Sequence, residues 1–99
     1  MRFLDADAVG ALGAAAAVRA ITDALRGGLD PAADPPRVPV GLTQGQFLLM
    51  PSEAPAAAGV KVVNVAPDNP AHGLPRIQAV YLLFDAHTSR CARCSTARR

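Results

Sequence analysis

The chain has no tryptophan, one tyrosine and three phenylalanines, and it has no cysteine before position 91. That distribution excludes a small secreted domain stapled by disulfides, because both thiols, Cys91 and Cys94, fall in the final stretch. No Gly-x-Gly-x-x-Gly occurs, so dinucleotide binding by that device is excluded. No apolar run is long enough to span a bilayer: the longest charge-free stretch, Val38 to Ser52, holds Pro39 and Pro51. A basic face is missing as well. The formal net charge is +2, but Arg90, Arg93, Arg98 and Arg99 crowd the end. Without them six basic side chains face eight acidic ones. The first 88 residues therefore offer no surface to neutralise phosphates, which argues against a nucleic-acid partner. Arg2 and the Ala/Gly/Val stretch ending near Ala20 superficially resemble a signal peptide. Asp5 and Asp7 interrupt it where the apolar region should begin, so the expectation is a cytoplasmic protein with no membrane partner.

What remains is small and rich in alanine. Of 99 residues, 21 are alanine and 27 are large and apolar. That suits one domain at the weak end of what folds alone, a subunit that leans on partners, or a piece of something larger.

The apolar pattern predicts an α+β fold in which N-terminal helices precede a mixed β-sheet. Arg2 to Leu4 reads as a short strand, with Asp5 as a helix N-cap. Val18, Ile21 and Leu25 then make one apolar stripe on a helix from about Ala14 to Arg26, expected to face the core. Gly27 and Gly28 can end it in a left-handed conformation. Leu29 to Pro39 holds four prolines and is a connector. RVPVGL and GQFLLMP read as a hairpin turning around Thr43 to Gly45, and EAPAAAG as a loop. GVKVVNVAP and RIQAVYLLFD are the clearest strands, rich in β-branched and aromatic residues. The second is apolar on both faces and should lie inside the sheet. Between them PDNPAHGLP should lack regular structure.

Polar residues inside these strands are the candidates for chemistry. Lys61 interrupts a strand that otherwise wants burial, and a buried ammonium costs several kcal/mol unless it meets an anion. Either its strand is an edge and Lys61 points to water, or the cation is aimed into a cleft. Arg37 and Arg76 each open a strand; alone they read as solvated strand ends. Two or three such cations together could clamp a carboxylate, which a guanidinium fork matches bidentately. The Gln78 amide, on the doubly apolar strand, needs a hydrogen-bond partner. His72 reads as exposed in its loop, and the aspartates as caps and solvated faces. There is no nucleophile–base pair and no acid–base dyad, so no catalytic residue is assigned. C-A-R-C with His87 upstream could be a metal half-site or redox pair, but a single C-x-x-C is weak and no metal is expected.

FLLMPSE followed by AGVKVVNVAPDNPAHGLPRIQAVYLLFD resembles the N-terminal domain of the ornithine cyclodeaminase and mu-crystallin family. Members read L-M-P, then G-x-K-x-V-(N/T)-x-x-P-x-N, then G-L-P-T-I-Q-G and an apolar strand ending in aspartate. Arg76 stands where threonine is common and Ala79 where glycine is common. The resemblance runs from about Phe3 to Thr88, so the expected division is a partial domain over 1–88 and a non-homologous tail, frameshifted or disordered, over 89–99. It implies an NAD(P)-dependent enzyme whose N-terminal domain dimerises and forms half the pocket for a small amino or keto acid. Family reactions include amino-acid cyclodeamination, ketimine reduction and alanine dehydrogenation. By position, Arg37 and Lys61 match cations that hold the substrate carboxylate, and Gln78 matches a polar pocket position. The resemblance places the catalytic aspartate and the Rossmann domain that binds NAD or NADP beyond these residues. No cofactor is expected for this chain alone, and the alternative is a non-catalytic binding or assembly module. With sheet and cover incomplete, exposed apolar strands and aggregation are expected.

The tail SRCARCSTARR has no valine, leucine, isoleucine or aromatic residue. Back-translated with G/C-rich codons and read two bases later, it gives Ala-Leu-Arg-Ala-Leu-Leu-Asp-Gly-Thr-Ala, and the family carries Leu-Leu-Asp-Gly here. A frameshift after about Thr88 is therefore expected. Resequencing the gene from codon 80 onward should show the alternative frame continuing through Leu-Leu-Asp-Gly into a strand, a Gly-x-Gly-x-x-Gly and a helix. A stop after Arg99 with nothing family-like downstream refutes it.

Overall fold

The computed structural model describes residues 1–98. In chain order the elements are β1 (Arg2–Leu4), α1 (Ala6–Gly10), α2 (Ala14–Arg26), β2 (Val38–Leu42), β3 (Gly45–Glu53), β4 (Ala57–Val65), β5 (Ile77–Asp85) and β6 (Cys91–Arg98). Short 3-10 turns lie at Pro31–Ala33 and Asn69–His72. The strands form one sheet in the order β1-β6-β5-β4-β3-β2. Only β1 and β6 run parallel; the other pairs are antiparallel. The α+β class with a mixed sheet is thus as the sequence implies, with six strands.

Local chemistry accounts for the boundaries. Asp5 caps α1 through a 2.8 Å bond from the Ala8 amide. After α2, Gly28 rather than Gly27 takes the positive φ, at 100°. The β2–β3 hairpin pairs Leu42 with Gly45 around Thr43 and Gln44. Gly45 also permits β3 to approach the end of β4, because a Cβ there would run into the Val65 carbonyl oxygen. Between β4 and β5, the Ala66 amide donates to the Arg76 carbonyl at 2.8 Å and the Asn69 amide side chain to the Pro75 carbonyl at 3.0 Å. The PDNPAHGLP stretch therefore does contain a 3-10 turn, since a proline in the first turn loses no intrahelical donor bond. At the end of β5 the Asp85 carboxylate accepts from the His87 and Thr88 amides, each at 2.9 Å. Those donors, Thr88 foremost, hold its carboxyl below the ordinary aspartate range.

β4 lies between β3 and β5, so of the two readings of Lys61 the edge strand is excluded. Two features depart from the sequence reading. The segment after Thr88 is not irregular: β6 fills the space between β5 and β1. Main-chain ladders on both sides can hold it without apolar side chains, although its Arg93 lies opposite Arg2. Finally, α2 does not turn its stripe to a core. Val18, Ile21 and Leu25 are 62, 61 and 47% exposed.

The core is correspondingly thin. Val63, 8% exposed, is the sole buried hydrophobic among the described residues, and no side chain among them is fully buried. The accessible surface is 7384 Å², against about 5,300 Å² for a folded monomer of this mass. The radius of gyration is 15.1 Å, where about 13 Å is usual. Val63→Ala should therefore lower the unfolding free energy in urea by about 2 kcal/mol, while Ile21→Ala should stay within about 0.5 kcal/mol. Equal losses at the two sites would contradict this distribution of burial.

Candidate functional site

Strand register decides which polar residues meet. In the antiparallel ladders directly opposed residues share a face of the sheet. Met50 on β3 pairs with Lys61 on β4, which pairs with Tyr81 on β5. Val38 pairs with Leu49, so one rung further along sets Arg37, just before β2, level with Met50. Arg37 and Lys61 thereby lie on one face, two strand spacings or about 10 Å apart at their backbones. Both side chains are long enough to converge on one small anion. Lys61 is half-buried and Arg37 exposed.

Two neighbours complete this face. Ser52 pairs with Gly59 two rungs along, on the same face. Its hydroxyl donates to both carboxylate oxygens of Asp34 at 2.9 Å, and the Glu53 amide reaches Asp34 at 3.4 Å. Asp34 lies in the proline-rich connector, three residues before Arg37, so this contact anchors the connector to β3 and helps fix Arg37 in its rung. Asp30 caps the connector's 3-10 turn through the Ala32 amide at 3.0 Å. The Tyr81 ring, meanwhile, lies across Gly59: a Cβ there would collide with Oη, Cζ and Cε1.

Gln78 belongs to the other face. It pairs with Asn64, and Asn64 with Phe47. A concavity of about 280 Å³ over this face is bordered by Phe47, Val62, Asn64, Gln78 and Thr96. A smaller one of about 120 Å³ joins Asn64 and Gln78 to Asn69 and Arg76. Continued one residue beyond the printed ladder, the register puts Arg37 on the Lys61 face, and it sets Gln78 on the other face with Asn64, beside a concavity that Arg76 also borders. Gln78 is exposed, and no buried side-chain nitrogen or oxygen among the described residues lacks a partner. Sequence reasoning missed Tyr81, Ser52 and Asn64. Only the K-x-V-N spacing signalled Asn64, and nothing short of the register signals the other two.

His72 and His87 are exposed. Cys91 and Cys94 are free thiols; the Cys91 Sγ lies 3.3 Å from the Met1 Sδ. Among the described residues no group of three or more His, Cys, Asp or Glu side chains is gathered for a metal ion. No helix among them is long and apolar enough to cross a membrane. The first face carries Lys61 beside the Tyr81 phenol, with Arg37 just beyond the neighbouring ladder, groups whose chemistry suits an anion.

A six-stranded mixed sheet preceded by short helices makes the chain an α+β domain. The chain belongs to the ornithine cyclodeaminase/mu-crystallin family, whose model matches residues 5–92. Its fold matches the N-terminal domain of an archaeal alanine dehydrogenase dimer with bound NAD, with a TM-score of 0.81 and 27% identity over 98% of this chain and 31% of that one. It is similar to Thermococcus litoralis Δ1-pyrroline-2-carboxylate reductase in complex with NADH and L-proline, at TM-score 0.77 and 27% identity, over 97% of this chain and 32% of that one. A lysine cyclodeaminase that recognises L-lysine, L-ornithine and L-2,4-diaminobutyric acid aligns at TM-score 0.70 and 27% identity, over 96% and 32% of the respective chains. An uncharacterised Schizosaccharomyces pombe protein is 51% identical over 43 residues, 42% of this chain and 13% of that protein. The chain thus spans about a third of these solved structures.

Removing the Asp34 carboxylate should loosen the connector without disturbing the sheet. In Asp34→Ala, amide exchange should quicken over residues 32–38 and stay unchanged across the β3–β4 ladder. Unaltered exchange in the connector would show that the Ser52 contact does not hold it.

Proposed function

We propose that this chain is the substrate-side part of an ornithine cyclodeaminase-like, NAD(P)-dependent enzyme, binding the carboxylate of a small amino or keto acid and providing a dimerisation surface. What supports the reading is the β2–β3–β4 register, which, continued one residue past Val38, sets Arg37 level with Lys61 on one face of the sheet. A carboxylate there would meet a guanidinium fork from one side and a point charge from the other, fixing its orientation as well as its position. In this reading Gln78 and Asn64 form a separate polar patch on the opposite face of the sheet.

The turn from β1 into α1 does not fit the pyrophosphate of a nicotinamide cofactor: the Asp5 carboxylate accepts from the Ala8 amide there and would repel it. NAD or NADP accordingly belongs to the full-length family in this proposal, and no step is assigned to it here. The chain's own contribution is binding and orientation, and it is inactive alone.

Dimerisation is supported by the roughly 2,000 Å² of surface exposed beyond that of a compact monomer. A homodimer interface of standard size would cover about 800 Å² of it on each copy. The second reading, a non-catalytic assembly module, draws on the same surface and differs by needing no amino-acid ligand.

Titration of the purified chain with L-proline or L-ornithine, followed by NMR, tests the proposal. Chemical shifts should move on the face of Lys61, and Lys61→Ala should weaken binding by about tenfold or more. Saturable binding unaffected by Lys61→Ala would displace the clamp. A stable dimer that binds neither amino acid would favour the assembly module, and NADH turnover by the chain alone would overturn the claim that it is inactive.

A further inference from the structure

We propose that the phenolic hydroxyl of Tyr81 is a third donor to the carboxylate held by Arg37 and Lys61, and that Gly59 is the seat that brings it there. The inference rests on the carboxylate reading above and adds a residue to it. Tyr81 is the direct cross-strand neighbour of Lys61, yet its ring does not stand away from the sheet. It leans diagonally over β4 onto Gly59, whose missing side chain leaves the space that Oη and Cζ occupy. Gly59 lies two residues before Lys61 on the same face and pairs with Ser52 on β3. The hydroxyl is therefore carried from β5 to β4, beside the Lys61 side chain and on the Ser52 side of it. Tyr81 is 37% exposed, so the ring is seated while part of it faces solvent.

The chemistry favours a donor at this point. A carboxylate has two oxygens and about four acceptor positions, more than an ammonium and a guanidinium fork from opposite sides saturate. A phenol O–H directed at the remaining position makes a charge-assisted hydrogen bond and adds no net charge. The ring also shields the Lys61 side of the anion from water, where such bonds gain strength. The Ser52 hydroxyl, the other donor on this face, is already given to Asp34. A packing role for the ring, filling the space over a strand glycine, is a real alternative. It needs the ring and not the hydroxyl, so the two roles separate experimentally.

The test is NMR titration of the 99-residue chain and its Tyr81→Phe, Gly59→Ala and Lys61→Ala variants with L-proline, with thermal melts alongside. Tyr81→Phe keeps the ring on Gly59 and should melt with the native chain, yet bind proline about tenfold more weakly, the effect of one charge-assisted hydrogen bond. Gly59→Ala displaces the ring and should weaken binding at least as much. Native affinity in Tyr81→Phe, with binding lost in Lys61→Ala, would overturn the role of the hydroxyl and leave the carboxylate site standing. Binding indifferent to Lys61→Ala, or none in the native chain, would overturn the carboxylate reading and this inference with it.

Discussion

The register of the β3–β4–β5 ladder is the constraint on which everything else depends. Side chains alternate with a period of two, so a slip of one residue would move a strand's whole inward set to the opposite face. In β4 it would put Val62 where Lys61 stands beside Met50 and Tyr81, and would take Gly59 from under the tyrosine ring. The ladders pair eight consecutive residues of β3 with β4 and nine of β4 with β5, without a bulge. The one irregularity, between Leu83 and Phe84, lies where β5 meets β6. The site-bearing part of the sheet is thus its most regular part.

That regularity is main-chain regularity, and it explains how a chain with so little core holds a shape. Ladder hydrogen bonds satisfy the polar backbone, but each adds only about 1 kcal/mol net. Stability on the scale of ordinary domains comes from buried apolar surface, and here both faces of the sheet remain largely uncovered. The exposed stripe of α2 is the same fact seen from the helix: its apolar residues are spaced to pack, with nothing in the described chain packed upon them. Dimerisation, further chain, or both would supply that cover.

Local chemistry made most of the fold legible in advance. Asp5 as a cap, the limits of α2, the turn at Thr43 and Gln44, and the interior position of β5 follow from capping, periodicity and composition. The misses share a different cause. Whether α2 meets a core and whether the last residues join the sheet both depend on pairings between distant segments, which no local pattern encodes. The site divides along the same line. Lys61 stood out because a charge inside an apolar strand is locally anomalous, whereas Tyr81 looked like any strand aromatic until register set it opposite Lys61. Gln78 looked equally anomalous, yet alternation sends it to the other face with Asn64.

The missing cover also governs how strongly the cationic face can act. A charge pair separated by about 4 Å is worth roughly 1 kcal/mol in bulk water and several times more once water is partly excluded. Lys61 is half-buried and Arg37 exposed, so a carboxylate bound to this face as it stands would remain largely hydrated. Closing the face would lower the local dielectric, sharpen the fit of guanidinium, ammonium and phenol to the anion, and bury the apolar surface that the strands now expose. On the proposed reading stability and binding are linked: a cover that closes over the cationic face without filling it favours the carboxylate complex, and a bound carboxylate in turn favours that covered state.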